Sequence, residues 1–215
     1  MYFLVQPSKQ AFEQALQALE DGGIVAYPTE TFYGLAVDPE NDQAIDALYA
    51  LKQREKTKPI SLLIPNIEHL STIVSSFPAS YTQLIDTFWP GPLTLVFPAR
   101  VDLSTSLTGG SKSIAVRISS HPVASELCQS WGRALTATSA NISGQSPLLT
   151  AKAVHDLLGD QINFILDGGT TPGGKGSTII RCFEDNKECH IVRQGVVDEL
   201  EIVRNLPNDY IVCKS

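Results

Sequence analysis

The chain has little that would commit it to a membrane, a metal or an oxidising compartment. No apolar run approaches the roughly 20 residues that span a bilayer. The opening stretch, MYFLVQPSKQ, lacks a basic start and a long apolar core, so no secretory signal is expected. Cysteine is scarce: Cys128, Cys182, Cys189 and Cys213 form no CxxC pair. The four histidines, His69, His121, His155 and His190, are scattered without zinc-ligand spacing. The expectation is four free thiols, no metal site and a cytoplasmic protein. Positive charge is also short, with 16 Lys and Arg against 23 Asp and Glu and a net charge of −7. That argues against a broad nucleic-acid surface, which needs a clustered basic face, and leaves room for a local basic cleft.

What is present suits an ordinary globular protein. The apolar fraction is 43% and the charged fraction 18%. A chain of 215 residues can bury a core without staples. Phe12, Ala15, Leu16 and Leu19 share one face of a helix over 8–21, stopped by Gly22-Gly23. Ile24–Tyr27 reads as a buried strand ended by Pro28. Further helices are expected over 42–52, 68–74, 80–88, 121–130, 150–158 and 198–204. Further strands are expected over 60–64, 93–97, 113–118, 134–140, 163–166, 178–182 and 190–193. This alternation predicts an α/β fold, a twisted mixed sheet flanked by helices. The polar, glycine-bearing stretch 101–112 has little apolar surface to pin it and is the candidate mobile segment.

Five stretches carry chemistry. Tyr27–Gly34, YPTETFYG, places Thr29, Glu30 and Thr31 at a strand end, where open α/β sheets bind ligands; it reads equally as a turn whose hydroxyls bond their own backbone. Lys52, Arg54, Lys56 and Lys58 fall at every second position. Pro59 disfavours helix at Lys58, so an extended run would present the cations on one side, suited to a triphosphate. The alternative is a solvated charge run. Ser139 and Asn141 sit where a strand opens into a loop, and ordinary turn chemistry also explains them. Gly169–Lys175 reads G-x-x-x-x-G-K, but position 176 is Gly and the following STIIRCF is strand-like. It is therefore not a P-loop but a glycine-rich connection with Ser177 at its exit. Arg193 ends a strand, and Arg117 lies inside a β-branched run. An arginine there sits at an edge or pairs with a buried anion.

In their order, YPTETFYGLA, KQREKTKP, WPGPLTLVF, SIAVRISSHPVA, ATSANISG, DGG and GSTII resemble the YrdC/TsaC family of threonylcarbamoyl-AMP synthases over roughly residues 10–195. The resemblance is to the short type, a single YrdC-like domain over 1–215. It implies that threonine and bicarbonate form a carbamate, which attacks the α-phosphate of ATP and releases pyrophosphate. A downstream transfer complex would then carry the threonylcarbamoyl group to a tRNA adenosine beside the anticodon. It further implies Lys52 and Arg54 as catalytic residues and Arg54, Lys58, Ser113, Ser139, Asn141 and Arg193 against ATP. Thr31, Arg117 and Ser177 would hold threonine, with Mg²⁺ on the phosphates. Two departures stand out. Glu55 replaces the usual Pro after the arginine, and Leu63 stands where some members carry histidine. Rival readings are a YciO-like protein, which Lys-x-Arg and Ser-x-Asn argue against, and an RNA-binding module, for which only weak RNA contact is expected.

Overall fold

The structure is a computed structural model that describes residues 4–214. Among these, eleven strands run in chain order with seven α-helices: β1 (Leu4–Val5), α1 (Lys9–Glu20), β2 (Val25–Pro28), β3 (Tyr33–Ala36), α2 (Asp42–Lys52), β4 (Ser61–Leu63), α3 (Thr82–Phe88), β5 (Leu93–Pro98), α4 (Thr105–Thr108), β6 (Ser113–Arg117), α5 (Pro122–Trp131), β7 (Leu135–Ser139), α6 (Ala151–Leu158), β8 (Phe164–Leu166), β9 (Thr178–Phe183), β10 (Glu188–Arg193), α7 (Glu199–Arg204) and β11 (Ile211–Lys214). They form one mixed sheet in the order β1-β8-β2-β3-β7-β4-β6-β5-β9-β10-β11.

Strand alternation divides the core between the two faces of this sheet. Val25 and Tyr27 of β2 pack with Ala11, Ala15 and Leu19 of α1 and with Val123, Leu127 and Trp131 of α5. Ala26, between them, points the other way, into the larger cluster that holds Ile45 and Leu48 of α2 and Val154 of α6. Phe164 and Leu166 of β8 join the first core, and Ile165 the second. Local capping explains the helix starts: the Ser8 side chain accepts from Ala11 N, and Asn41 accepts from Gln43 and Ala44.

The first core takes nothing from β5, β6, β9 or β10. On that face α1 and α5 therefore cover one half of the sheet and leave the other half open. Residues of that open half line a cleft.

Four expectations need correction. Tyr33–Ala36 is a strand that forms a hairpin with β2, where no strand was expected. Ile67–Thr72 is a 3-10 helix rather than an α-helix. Residues 101–112 are pinned: they contain α4, Leu107 is buried, and Ile60 N donates to Leu107 O at 3.2 Å. After α7 comes a strand that was not expected, β11, which pairs parallel with β10.

Candidate functional site

A cleft of about 610 Å³ lies over the open half of the sheet. Period two builds its floor. Ser113, Ala115 and Arg117 of β6 face the cleft, while Ile114 and Val116 face the core. Thr94 and Val96 of β5 do the same between Leu93, Leu95 and Phe97. Thr31, Ser139, Ser177 and Arg193 complete one wall, and Arg54 and Lys58 the rim.

Arg117 is buried and pairs with Glu30; the Ser119 hydroxyl donates to the other oxygen of the same carboxylate. The sequence left edge or buried anion open for Arg117, and the structure gives the anion. Glu30 was missed as a site residue. Its only sequence signal is an acid between two hydroxyls at a strand end. The Thr29 and Thr31 hydroxyls lie 3.1 Å apart.

Where the floor meets the wall, Thr94 Oγ1 and Ser177 Oγ are 2.8 Å apart. Arg193 donates to Ser177 O at 3.1 and 2.8 Å and to its Oγ at 2.9 Å. Burial, and then the charges of Arg117 and Arg54, lower the pKa of Arg193. Gly195 lets the backbone close here, because a Cβ would fall 2.2 Å from Gly176 O. The strand β9 that follows confirms that Gly169–Lys175 opens no helix, and Lys175 is exposed and off the cleft wall.

The expected strip of cations is not extended. Gln53 adopts a left-handed conformation (φ 48°) and Lys58 N donates back to Glu55 O, so the run folds into a turn. Lys56 turns away to Asp46 at 2.6 Å, and Lys58 pairs with Glu55 at 3.2 Å. Arg54 is braced by Lys58 O at 3.2 Å and Pro59 O at 2.9 Å. Neither Arg54 nor Arg193 ion-pairs with a carboxylate among the described residues.

Lys52 and Asn141 lie behind the wall rather than on it. Lys52 is only 2% exposed. Its Nζ donates to Ser139 O, to Asn141 O at 2.9 Å and to Asn141 Oδ1 at 3.2 Å. Asn141 Oδ1 also accepts from Ser139 Oγ at 2.6 Å, and its Nδ2 donates to Gln145 O at 2.7 Å. Lys52 thus ties the end of α2 to the loop after β7. Burial, then the Arg54 charge, pushes its pKa down to about 7.

These residues stand in the order of a known family. The Sua5/YciO/YrdC family, described as "Telomere recombination", matches residues 17–195. The threonylcarbamoyl-AMP synthase of Vibrio campbellii is 40% identical over 186 residues, covering 86% of this chain and 98% of its own. The chain belongs to the Sua5/YciO/YrdC family. The structure of P. abyssi Sua5 complexed with L-threonine superposes with a TM-score of 0.91 at 30% identity. It covers 99% of this chain, and this chain spans 62% of that one. E. coli YciO, at 23% identity and a TM-score of 0.83, covers 96% of this chain and 99% of its own and shares the fold. The cleft brings Arg54, Arg117, Arg193, Ser139 and Ser177 together.

Proposed function

We propose that this chain makes threonylcarbamoyl-AMP, the product for which its relatives are named, and pyrophosphate from L-threonine, bicarbonate and ATP. The observation that carries this reading is a cleft walled by Arg54, Lys58, Arg117 and Arg193 in a chain of net charge −7, with Arg54 and Arg193 free of carboxylate partners among the described residues. Cations gathered in one concavity of an acidic protein answer a polyanionic ligand. The cleft volume lies within the roughly 300–1,000 Å³ usual for small-molecule sites.

The amine of threonine and bicarbonate condense to a carbamate with loss of water. A carbamate oxygen then attacks the α-phosphorus, the bond to the β-phosphate oxygen breaks, and pyrophosphate leaves with its electron pair. Such adenylyl transfer asks mainly for positioning and for neutralising charge on the phosphates. Arg54, Lys58 and Arg193 supply that charge. Ser113 and Ser139 bond the nucleotide, and Asn141 and Lys52 hold Ser139 in place from behind. Thr31 and Ser177 take the polar groups of threonine, whose carboxylate joins Glu30 on Arg117. A guanidinium with five N–H donors serves both. Among the described residues no carboxylate lines the cleft, so the residues present hold no Mg²⁺ by themselves. The ion would enter on the triphosphate and neutralise it there. Delivery of the product to a tRNA-modifying complex in the cytoplasm belongs to the same reading.

Pyrophosphate release tests it. Release should need ATP, threonine and bicarbonate together. Equal release without an amino acid, or with bicarbonate removed, would sink the reading. Serine should react more slowly, since one methyl contact discriminates by only about 1–3 kcal/mol.

A further inference from the structure

Sequence spacing gives no metal motif, but strand pairing assembles one away from the cleft. β11 lies parallel to β10, with Glu188 opposite Ile211 and His190 opposite Cys213. Glu188 and His190 are two apart on one strand and so share a face. The carboxylate oxygen of Glu188, a ring nitrogen of His190 and the Cys213 sulfur all lie within 4.8 Å of one another. We propose that Glu188, His190 and Cys213 bind a soft divalent cation, zinc by preference, that clips the edge strand β11 to β10.

Three features support this. The donor set is a sulfur, an imidazole nitrogen and a carboxylate oxygen, which suits zinc and not magnesium or calcium. The geometry is close to what is needed. Bonds of about 2.0–2.3 Å in a tetrahedron place ligand atoms roughly 3.3–3.8 Å apart, so side-chain rotations of about 1 Å complete the site. The two strand residues already face each other: His190 Nε2 shares a hydrogen bond with Glu188 Oε2 at 2.8 Å, which the ion would replace, and the ring is held edge-on against Phe183 at 5.1 Å. The side chains of Glu188 and His190 are about a third exposed, so the ion can enter and a water can fill the fourth position. Binding releases the thiol proton. The thiolate and carboxylate together balance the ion's two charges, so the nearby Arg181, which lies over the Phe183 ring at 4.9 Å, faces a neutral site.

The test uses the full chain without nucleotide. Zn²⁺ is titrated in competition with a chromophoric chelator, and Co²⁺ is titrated while its absorption is followed. One zinc should bind per chain, and Co²⁺ should show a thiolate charge-transfer band with tetrahedral d–d intensity. Cys213→Ser should abolish that band, and both it and His190→Ala should weaken zinc roughly tenfold or more. Amide exchange of 211–214 should slow with zinc in the parent and not in Cys213→Ser, a near-isosteric change at a half-buried position of the edge strand. Absence of stoichiometric zinc, a cobalt spectrum without the thiolate band, or unchanged affinity in Cys213→Ser would each overturn the proposal.

Discussion

Replacing Lys52 by methionine separates two forces that act on one amine. Burial favours the neutral form, whereas three oxygen acceptors around Nζ favour the ammonium. The balance lies at about 7, far below the ordinary lysine value of about 10.4. Between those values the unfolded chain holds a proton that the folded chain has released. Parent stability should therefore rise with pH from about 7 to 10, and the full burial cost is felt below 7. The slope is about 1.4 kcal/mol per pH unit, or roughly 4 kcal/mol across three units. A methionine side chain does not titrate, so the gap between parent and Lys52→Met should shift in the parent's favour by about that amount. Urea unfolding of both proteins at pH 7, 8, 9 and 10 measures it, and every other titration cancels in the difference. A gap that stays flat within about 0.5 kcal/mol would refute the reasoning. The ammonium would then persist throughout, and the oxygens would outweigh burial.

Arg54→Ala should leave the protein folded, since the hydrogen bonds it removes to Lys58 O and Pro59 O lie at the rim and cost about 1–3 kcal/mol together at most. Its loss of a charge-assisted phosphate contact should weaken ATP by about 10- to 150-fold in calorimetric titration, and unchanged affinity would count against the cleft as the nucleotide site. Lys175→Ala should bind ATP like the parent, because Lys175 is exposed and off the cleft wall; loss of binding would restore the P-loop reading. Ser177→Ala strips a hydroxyl bonded to Thr94 and Arg193, and should raise the KM for threonine more than it lowers kcat.

Much of the fold was legible where pattern and local chemistry agree. The helix expected over 42–52 is α2, whose Ile45, Leu48 and Tyr49 all turn inward as the helical period requires. β3 was hidden because all four of its residues are buried, which erases alternation, and Gly34 lowers its strand propensity. One residue decides 101–112: Leu107 is buried in a stretch whose composition reads as loop. For the site, residue types were legible and partners were not. The anion beside Arg117 is Glu30, distant in sequence, and only the sheet brings them together. The period-two argument for the cations failed on a backbone detail, the left-handed Gln53 that starts a turn. It separated Lys52, whose amine is a buried brace, from Arg54 and Lys58, which reach the rim.

The place of the cleft follows from where the helices are. α1 and α5 cap β8, β2 and their neighbours on one face, and there the sheet presents Val25, Tyr27, Leu135 and Phe164. Beyond β4 on that face neither α1 nor α5 packs on the strands among the described residues, and Thr94, Ser113, Ala115 and Ser177 join Val96 and Ile179 at the cleft-facing positions. Larger side chains at the Thr94, Ser113, Ala115 and Ser177 positions would fill the concavity. Small and hydroxyl side chains instead keep it open and leave donors and acceptors on its floor. The arginines then need only reach over the edge, Arg54 from the turn after α2, Arg117 from β6 and Arg193 from the end of β10. Burial, and then repulsion from Arg117 and Arg54, disfavours the charged form of Arg193. Glu30 offsets such a cost at Arg117 alone, which leaves the other two to a ligand that brings its own negative charge.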